Sequence, residues 1–391
     1  MGAKLKLESG LEIDFYYTDD VDEMIRFGKV IYDNSPKRYP SQLVERMKHT
    51  IRHWLPNSTD GEVNDLVYRS IYDFWAYGAK IEEEFFFDLL NKTHDEKKEF
   101  INYMEHIVYA FKINNREHKD ILYHKYMAYR YFKEYYKRDV ILINGDEDEF
   151  DKFKGFALKH SSFIVKPVDS HMADGVYIDH LEKTTEGEIQ KAFKRICDAC
   201  KDNLNSRIAS KAGAVVEELF VQDERMNVLH TPGVNHIRVT TIRTGEKVDI
   251  FNVWLCVGRD NNLITPYAQG LIMCCVDKNT GIVETDGHTE LGETFVKHPN
   301  TGITLKGFQI PDYKDLIAIS QEAARTLHDI RYVGWDFVLS NKGWCVQEAN
   351  FAGEPDWQLV YKVGSKKEFE EAIGWNLTKE FWWQEDVKAF H

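Results

Sequence analysis

Two carboxylates and one amide near the end of the chain have the spacing of a metal site. Asp336 lies in one β-rich run, and Glu348 and Asn350 lie two residues apart in the next. Because side chains two apart on a strand share a face, Glu348 and Asn350 are expected to point the same way. Two carboxylates and an amide oxygen suit Mg²⁺, which usually shares its coordination sphere with phosphates. The alternative is a surface hairpin with scattered acids.

The turn between these two runs decides whether Asp336 joins the other two side chains. Residues 340–343, Ser-Asn-Lys-Gly, predict a tight turn. That turn brings Asp336 alongside Glu348, although a register slip of one residue would turn Asp336 to the other face. Unbroken alternation also puts Trp344 and Val346 on the face of Glu348.

A lysine at the end of a strand is a candidate for holding phosphates. A β-rich run, Phe-Ile-Val, ends at Lys166, and a polar loop follows from Asp169 through Ser170 and His171 to Gly175. A lysine on a strand edge beside a flexible polar loop is a common way to hold nucleotide phosphates. His171 has a side chain that titrates near neutrality, and the alternative is a solvated loop histidine.

A third segment, AVVEELFVQD, has the composition of a purine clamp. An apolar strand leads into Glu217 and Glu218 and returns to apolar residues at Leu219. Backbone and carboxylate groups there can read the edge of adenine, and apolar side chains can pack on its faces. Gln222 can reach the ribose.

In this order the three segments resemble the ATP-grasp superfamily, and most of all the sugar-transfer associated ATP-grasp proteins. The resemblance covers roughly residues 123–361 and depends chiefly on Asp336 and the Glu348-x-Asn350 pair. The stretches 234–239 and 77–100 are also similar to those relatives, the second to their pre-grasp segment. Lys125 matches a second nucleotide lysine of the family, with a solvated helix lysine as the alternative.

The chain departs from the family pattern in two places. The polar loop from Asp169 to Gly175, called the phosphate loop below, has one glycine where relatives usually have several, which puts its mobility in doubt. The stretch 263–277 falls where these relatives tend to carry an Asp-Asn and a Gly-Gly pair, but it reads Thr265-Pro266 and Gly270-Leu271. This stretch is expected to line the acceptor side, so the substrate of a relative should not be assigned to this chain.

Two arginines are catalytic candidates. Arg238 lies inside a β run, where a charge is costly unless it is paired. Its partner is either a phosphate or acyl-phosphate, or a structural ion pair. Arg259 is a weaker candidate for the substrate carboxylate, since bidentate pairing suits arginine. Asp356 and Gln358 follow the β-rich run that carries Glu348 and Asn350, and they are candidates for substrate contact.

The resemblance implies an ATP- and Mg²⁺-dependent carboxylate–amine ligase that forms an amide through an acyl-phosphate. It suggests a carboxylate and an amine as small-molecule partners, with a sugar acid or glycan of a polysaccharide pathway as one of them. A kinase-like ATP-grasp enzyme and an inactive nucleotide-binding module are the alternatives. A pure binder need not keep three metal ligands, which argues against the inactive module.

The overall composition and charge indicate which partners and which cellular location to expect. The formal net charge is −14 and is spread along the chain, which argues against nucleic acid as the main partner. No apolar run approaches the roughly 18 residues needed to span a bilayer, and the first residues lack the apolar core of a secretory signal. Cys197-x-x-Cys200 is expected to pack in a helix rather than to bind zinc. The cytoplasm is the expected location, and the oligomeric state stays open.

The strands and helices predicted around these residues indicate an α+β chain, and the resemblance implies the ATP-grasp fold, in which two α+β lobes clamp ATP. Helical periodicity dominates from about residue 22 to 137, including one helix over 119–136. The expected divisions are a mainly helical region over 1–120, a first lobe over 121–232 and a second lobe over 233–391. The aromatic end, 381–383, is expected to pack back onto the body.

Overall fold

The structure is a computed structural model that describes residues 2–170, 174–202, 213–263, 270–353, 357–377 and 379–385. It divides into two compact units, one made of Met1–Lys112 with Glu354–His391 and the other of Ile113–Gly353. The two-way division does not separate lobes within the second unit, so the boundaries at 120 and 232 stay a prediction. The described residues after 354 group with the N-terminal unit rather than with the second lobe, because their apolar side chains are buried there.

The N-terminal unit is a helical body with a small hairpin. The hairpin pairs β1 (Gly2–Lys6) with β2 (Glu12–Tyr16). The helices are α1 (Val21–Asp33), α2 (Ser41–Trp54), α3 (Asp60–Tyr77), α4 (Ile81–Phe86), α5 (His94–Lys98) and α6 (Tyr103–Ile113). Helix α3 begins at a capping box between Thr59 and Glu62 and ends at Gly78, whose φ of 75° a glycine adopts without strain.

The C-terminal segment completes the core of this unit. It contributes α14 (Trp357–Tyr361), α15 (Lys366–Ile373) and a 3₁₀ turn, Trp382–Gln384. Phe381 is fully buried in the same cluster as Phe15 and Tyr72, and the indole nitrogens of Trp382 and Trp383 donate to the carbonyls of α3. The prediction that the aromatic end packs back is confirmed.

The second unit contains a four-stranded antiparallel sheet with the strand order β3-β6-β4-β5. Its strands are β3 (Val140–Ile143), β4 (Ser162–Pro167), β5 (Tyr177–His180) and β6 (Ala214–Glu218). Helices α10 (Phe150–Ala157) and α11 (Glu186–Asp202) pack on it around Phe153, Phe163 and Ile196. Cys197 and Cys200 are buried in that helix layer, so the prediction of helix packing is confirmed.

A larger, seven-stranded antiparallel sheet carries the acidic hairpin. Its order is β11-β10-β9-β8-β7-β12-β13. The strands are β7 (His236–Thr244), β8 (Lys247–Val257), β9 (Ile272–Cys275), β10 (Gly287–His288), β11 (Thr294–Phe295), β12 (Tyr332–Ser340) and β13 (Gly343–Asn350), with helices α12 (Glu224–Asn227) and α13 (Tyr313–Arg325) beside them. Antiparallel sheets and helices together confirm the predicted α+β class.

The single helix predicted over 119–136 is wrong, because the chain breaks it twice. Three short helices take its place: α7 (Asp120–Tyr123), α8 (Lys125–Tyr131) and α9 (Lys133–Tyr136). At the first break His124 is extended, with φ −100° and ψ 103°, and the backbone N–H of Lys125 donates to the carbonyl of Val168 at 2.8 Å. This hydrogen bond to the loop after β4 replaces a helical one, and it fixes the start of α8 beside that loop.

Among the described residues, no helix is both long enough and apolar enough to cross a membrane.

Candidate functional site

One cleft of the second unit collects charged side chains from four distant segments. Lys125, Lys166, Glu217 and Glu348 all line it. Its space, open solvent included, is about 260 Å³, and side chains take up much of the cleft. Its apolar and amide lining consists of Leu122, Ala128, Tyr136, Gln347 and Ala349. Some of these side chains must therefore move before the cleft can admit a ligand.

Lys166 is held by a carboxylate across the small sheet. Its Nζ lies 3.0 Å from Oε2 of Glu217, and both side chains are largely buried. Strand pairing puts Lys166 opposite Val215, two residues before Glu217 and so on the same face of β6. Burial alone would raise the pKa of Glu217, but the charges of Arg138 and Lys166 outweigh it and hold that pKa at about 2. Glu217 is therefore ionised at neutral pH and holds Lys166 in the cleft.

Lys125 stands at the start of α8 and faces the acidic hairpin. Its Nζ donates to the carbonyl of Ser170 and lies 3.6 Å from Oε1 of Glu348. Only 13% of its side chain is exposed, which disfavours the solvated helix lysine that the sequence left open. Lys125 thus links the loop after Lys166 to the acidic strand.

A β-bulge in the hairpin sets the register of its acidic residues. Asp336 pairs directly with Glu348, as predicted, but Phe337 pairs with Val346, so Gln347 is an extra residue on β13. If the same residues paired continuously from the turn, with no bulge, Asp336 would lie opposite Gln347 instead. The bulge therefore brings the two carboxylates onto one face.

The same bulge overturns the prediction for the two apolar residues of β13. Val346 pairs with Phe337 and Trp344 with Leu339, whereas Glu348 pairs with Asp336. Neighbouring residues on β12 point to opposite faces, and paired residues point to the same one. Trp344 and Val346 therefore lie on the face opposite Glu348, because the bulge interrupts the alternation that the prediction assumed.

The acidic face joins Asp336, Glu348 and Asn350, as the sequence predicts. Asn350 Nδ2 donates to Asp336 Oδ2 at 3.4 Å and to the Gly334 carbonyl at 3.3 Å. Arg238 reaches Asp336 with Nε, and its Nη2 lies 3.2 Å from Oδ2. The structural ion pair that was one alternative for Arg238 is therefore present.

The donor chemistry of this face fits Mg²⁺. Two carboxylates and one amide are hard oxygen donors, and 42% of the Glu348 side chain is exposed, so a metal and phosphates can approach it. Asn350 uses its amide NH₂ for hydrogen bonds, which leaves its amide oxygen for a cation. Across the described part of the chain, no three His, Cys, Asp or Glu side chains are grouped to hold a metal, so the amide oxygen would be the third ligand.

Arg138 is a buried cation of the site that the sequence analysis missed. It lies between α9 and β3, and its guanidinium bonds Glu217 Oε2 through Nε at 3.0 Å and Nη2 at 2.7 Å. The residue stands directly before an apolar strand in KRDVILI, which is a weak signal because many strands begin after a charged residue. Nothing local identifies Glu217 as its ionic partner, because Glu217 lies far away in sequence.

The remaining residues of the predicted purine clamp, Glu218, Leu219 and Gln222, lie in different surroundings. Glu218 points away from Glu217 by strand alternation and pairs with Lys342 at 2.8 Å. Leu219 is half-buried. Gln222 accepts from the N–H of Asn235 at 2.5 Å and donates to the His230 carbonyl at 3.1 Å. Gln222 would have to break these hydrogen bonds to reach a ribose, and its role in nucleotide binding stays a prediction.

The phosphate loop is described at its two ends. Asp169 is buried, and the Ser170 hydroxyl donates to the Pro167 carbonyl at 3.4 Å. Gly175 has φ 68°, and a Cβ there would lie 2.9 Å from Pro167 Cγ, so a glycine is required. His171 lies outside the described residues, as do Thr265-Pro266 of the acceptor stretch and Asp356.

Arg259 is not brought to this cleft. Arg238 pairs with Trp254 on β8, and the three further residues to Val257 span about 10 Å of strand before Arg259 is reached. Arg259 instead bonds Glu293 through Nη1 at 2.7 Å. The role in carboxylate binding predicted for Arg259 remains a prediction.

Gln358 has backbone partners within the N-terminal unit. Its side chain accepts from the N–H of Ile101 at 2.9 Å and donates to the Ile101 carbonyl at 3.0 Å. The side chain is fully buried. This arrangement gives Gln358 a structural role, so contact with substrate would require these bonds to break.

Comparison with known proteins gives one family match. A profile of the sugar-transfer associated ATP-grasp family matches residues 105–372, more than half of the chain. None of the curated protein sequences matches it significantly.

Several solved structures match part of this chain at low identity. D-alanyl-alanine synthetase A from Vibrio cholerae is 14% identical with a TM-score of 0.37, over 64% of this chain and 60% of that one. An L-amino acid ligase from Bacillus licheniformis is 13% identical with a TM-score of 0.38, over 65% and 53%. An N5-carboxyaminoimidazole synthetase from Staphylococcus aureus, complexed with ADP, is 11% identical with a TM-score of 0.36, over 66% and 52%. The chain thus spans between half and three fifths of each of these proteins.

Proposed function

The chain belongs to the sugar-transfer associated ATP-grasp family, and from that premise we propose that it binds Mg-ATP in this cleft and acts as a carboxylate–amine ligase. The family and the ATP-grasp fold predicted from the sequence are confirmed by that membership. The observation that carries the proposal is that Lys125, Lys166, Glu217 and Glu348, from four segments, line one cleft.

The two lysines are the phosphate-binding groups of the proposal. Lys166 is paired with Glu217 and Lys125 with Glu348, at 3.0 and 3.6 Å. ATP brings about four negative charges, so its phosphates can replace the two glutamates as partners of the lysines. The negative charge of each glutamate stays balanced, because Arg138 remains paired with Glu217 and Glu348 becomes a metal ligand. Each buried charge therefore keeps a partner when the nucleotide enters.

Asp336, Glu348 and Asn350 are the residues that would hold Mg²⁺. Bound there, Mg²⁺ would neutralise charge on the β- and γ-phosphate oxygens. Arg238 fixes the orientation of Asp336, and the hydrogen bond from Asn350 ties the amide to the same carboxylate. The ligand atoms are thus held in place before a cation arrives, which lowers the cost of binding it.

The proposed reaction has two steps. An oxygen of the substrate carboxylate attacks the γ-phosphorus of ATP, the bond to the β-phosphate oxygen breaks, and ADP leaves with an acyl-phosphate formed. The amine then attacks the acyl carbon and expels inorganic phosphate, which retains the oxygen that attacked, while the amine loses a proton. The lysines position the phosphates and offset their charge, so the chain needs no covalent nucleophile.

The substrates we propose are an amino acid or other amine and a sugar acid of a glycan pathway. The support is the family's description as sugar-transfer associated. Small-molecule partners fit the net charge of −14, which disfavours nucleic acid. The cytoplasmic location expected from the sequence stays a prediction.

Thermal unfolding with and without Mg-ATP tests the proposal. A ligand at 100 times its Kd stabilises the folded protein by about 2.7 kcal/mol, which should raise Tm by several degrees. Mg-AMP, which lacks the β- and γ-phosphates, is the control and should give a smaller shift. No shift with millimolar Mg-ATP would refute nucleotide binding. Product analysis then separates the mechanisms, because a ligase releases free phosphate and a kinase gives a phosphorylated acceptor.

A further inference from the structure

The buried guanidinium of Arg138 touches both the nucleotide side of the cleft and the strand that carries the metal ligands. We infer that Arg138 is a positioning residue that couples nucleotide binding at Lys166 to the placement of Glu348. The inference rests on the proposed function and concerns a residue to which neither the family match nor the sequence assigns a role. Only 2% of the Arg138 side chain is exposed, so its effect must pass through the groups that it contacts.

On the nucleotide side, Arg138 shares one oxygen atom with Lys166. Oε2 of Glu217 accepts from Arg138 Nε at 3.0 Å and Nη2 at 2.7 Å, and from Lys166 Nζ at 3.0 Å. When a phosphate draws Lys166 away, Arg138 becomes the remaining cation on that oxygen. Its bond to Glu217 is then expected to strengthen, because two donors no longer compete with a third.

On the metal side, the same guanidinium bonds the carbonyls of the β-bulge. Nη1 donates to the Val346 carbonyl at 2.6 Å, and Nη2 lies 3.3 Å from the Gln347 carbonyl. The bulge is what sets Glu348 opposite Asp336. Arg138 therefore supports the backbone irregularity on which the common face of the metal ligands depends.

Two aromatic rings restrict the guanidinium plane. The Arg138 carbon Cζ lies 4.3 Å from the ring centroid of Tyr136 and 4.4 Å from that of Phe220. A planar group held in this way cannot reorient for Glu217 without moving at Val346 and Gln347 as well. A lysine has one nitrogen and cannot make both sets of bonds.

Arg138→Lys tests the coupling without removing the charge. The measurement is the affinity of a non-hydrolysable ATP analogue, with and without Mg²⁺; the ratio of the two affinities is the coupling. We expect this ratio to fall about tenfold in the variant, within the range usual for coupled sites, while affinity without Mg²⁺ changes much less. Arg225→Lys is the matched control, because Arg225 bonds two aspartates, Asp223 and Asp312, away from the cleft.

Deletion of Gln347 tests the bulge from the other side. The shortened strand can pair continuously from the turn and still set Glu348 opposite Asp336, but it no longer offers Arg138 the bulged carbonyl. We expect the Mg²⁺ ratio to fall as in Arg138→Lys. Gln347→Ala keeps the backbone carbonyl and should keep the ratio, whatever it does to nucleotide affinity.

Hydrogen exchange of the unmodified protein keeps the inference testable if a variant does not fold. The nucleotide analogue without Mg²⁺ should slow exchange in residues 343–350. Unchanged exchange there, or an unchanged Mg²⁺ ratio in a folded Arg138→Lys protein, overturns the inference and leaves the proposed function intact. Failure of the wild-type protein to bind any nucleotide overturns the proposed function itself.

Discussion

Lys166 and Glu348 both carry charge in the cleft, and the proposed function gives them different roles in the reaction with ATP. In that proposal Lys166→Ala removes a phosphate contact of the bound substrate, and a charged hydrogen bond of this kind contributes about 1.5–3 kcal/mol. The dissociation constant of ATP should therefore rise roughly ten- to hundredfold. Glu348→Ala should mainly abolish turnover, because its charge matters most while the γ-phosphoryl group leaves. Calorimetric titration and ADP-release assays measure the two effects.

Two exposed residues provide controls for these substitutions. Lys159, in the turn before β4, and Glu246, in the turn before β8, are both exposed, so Lys159→Ala and Glu246→Ala should leave binding and turnover as in the wild type. Full turnover of Glu348→Ala at saturating Mg²⁺ would show that the metal assignment is wrong.

Single residues were predictable where their signal is local. Lys166 stands out because a strand, a lysine and a proline follow one another in sequence, and Asp336 stands out because a turn links it to Glu348. Arg138 has no such signal, since its partners across the cleft are Glu217 and the carbonyls of Val346 and Gln347. Only the folded chain brings those groups together.

At the scale of elements, three helices of the N-terminal unit meet at a buried charged cluster. Asp73 of α3 and Lys97 of α5 form an ion pair at 2.7 Å with no side-chain exposure. Glu84 of α4 is buried beside them, and neither of its carboxyl oxygens has a hydrogen-bond partner in the described structure. Burial, and then the charge of Asp73, raise the pKa of Glu84 well above its ordinary value, against the opposing effect of Lys97.

Glu84→Gln should therefore change how the stability of the protein depends on pH. The folded protein keeps a proton on Glu84 that the unfolded chain loses above about pH 4.3, so the free energy of unfolding falls as pH rises from there toward the raised pKa. Glutamine has no proton to lose. We expect the variant to be more stable than the wild type at pH 8, with a smaller difference at pH 5.

Guanidinium unfolding at a series of pH values measures this difference. Glu82→Gln is the control on the same helix, since Glu82 is only half-buried and should give no such trend. A Glu84→Gln protein whose stability differs from that of the wild type by the same amount at pH 5 and pH 8 would contradict the assignment.

Whole elements were predictable where periodicity is unbroken, and deviations were not. Alternation and a turn sequence were enough to predict the hairpin, whereas the pairing of Asp336 with Glu348 depends on the bulge. The bulge at Gln347 and the break at His124 each involve one residue, and each goes with a hydrogen bond to a distant segment. A pattern read along the chain cannot reveal such bonds, so Trp344 and Val346 were assigned to the wrong face.

At the scale of the whole molecule, the proposed chemistry predicts the path of one oxygen atom. An ADP-release screen of amino acids against sugar acids would first identify a substrate pair. With the carboxylate labelled by ¹⁸O, one labelled oxygen should then appear in the released inorganic phosphate, because the attacking oxygen leaves with phosphorus. Mass spectrometry of the phosphate measures this transfer.

Other products would point to different chemistry. AMP and pyrophosphate as products, with the labelled oxygen in AMP rather than in inorganic phosphate, would indicate an adenylate intermediate and contradict the acyl-phosphate. A control with labelled water should leave the phosphate unlabelled, since water does not attack in either step of the proposed route.

The helical unit is built from both ends of the described chain, and this affects its synthesis on the ribosome. Phe381 is buried against Phe15 and Tyr72, and the intervening residues 113–353 belong to the other unit. The inserted unit can fold as soon as it emerges, whereas the helices made first must wait with their apolar surface incomplete until the last aromatic residues arrive. Such a nascent intermediate is a natural client for chaperones that shield apolar surface.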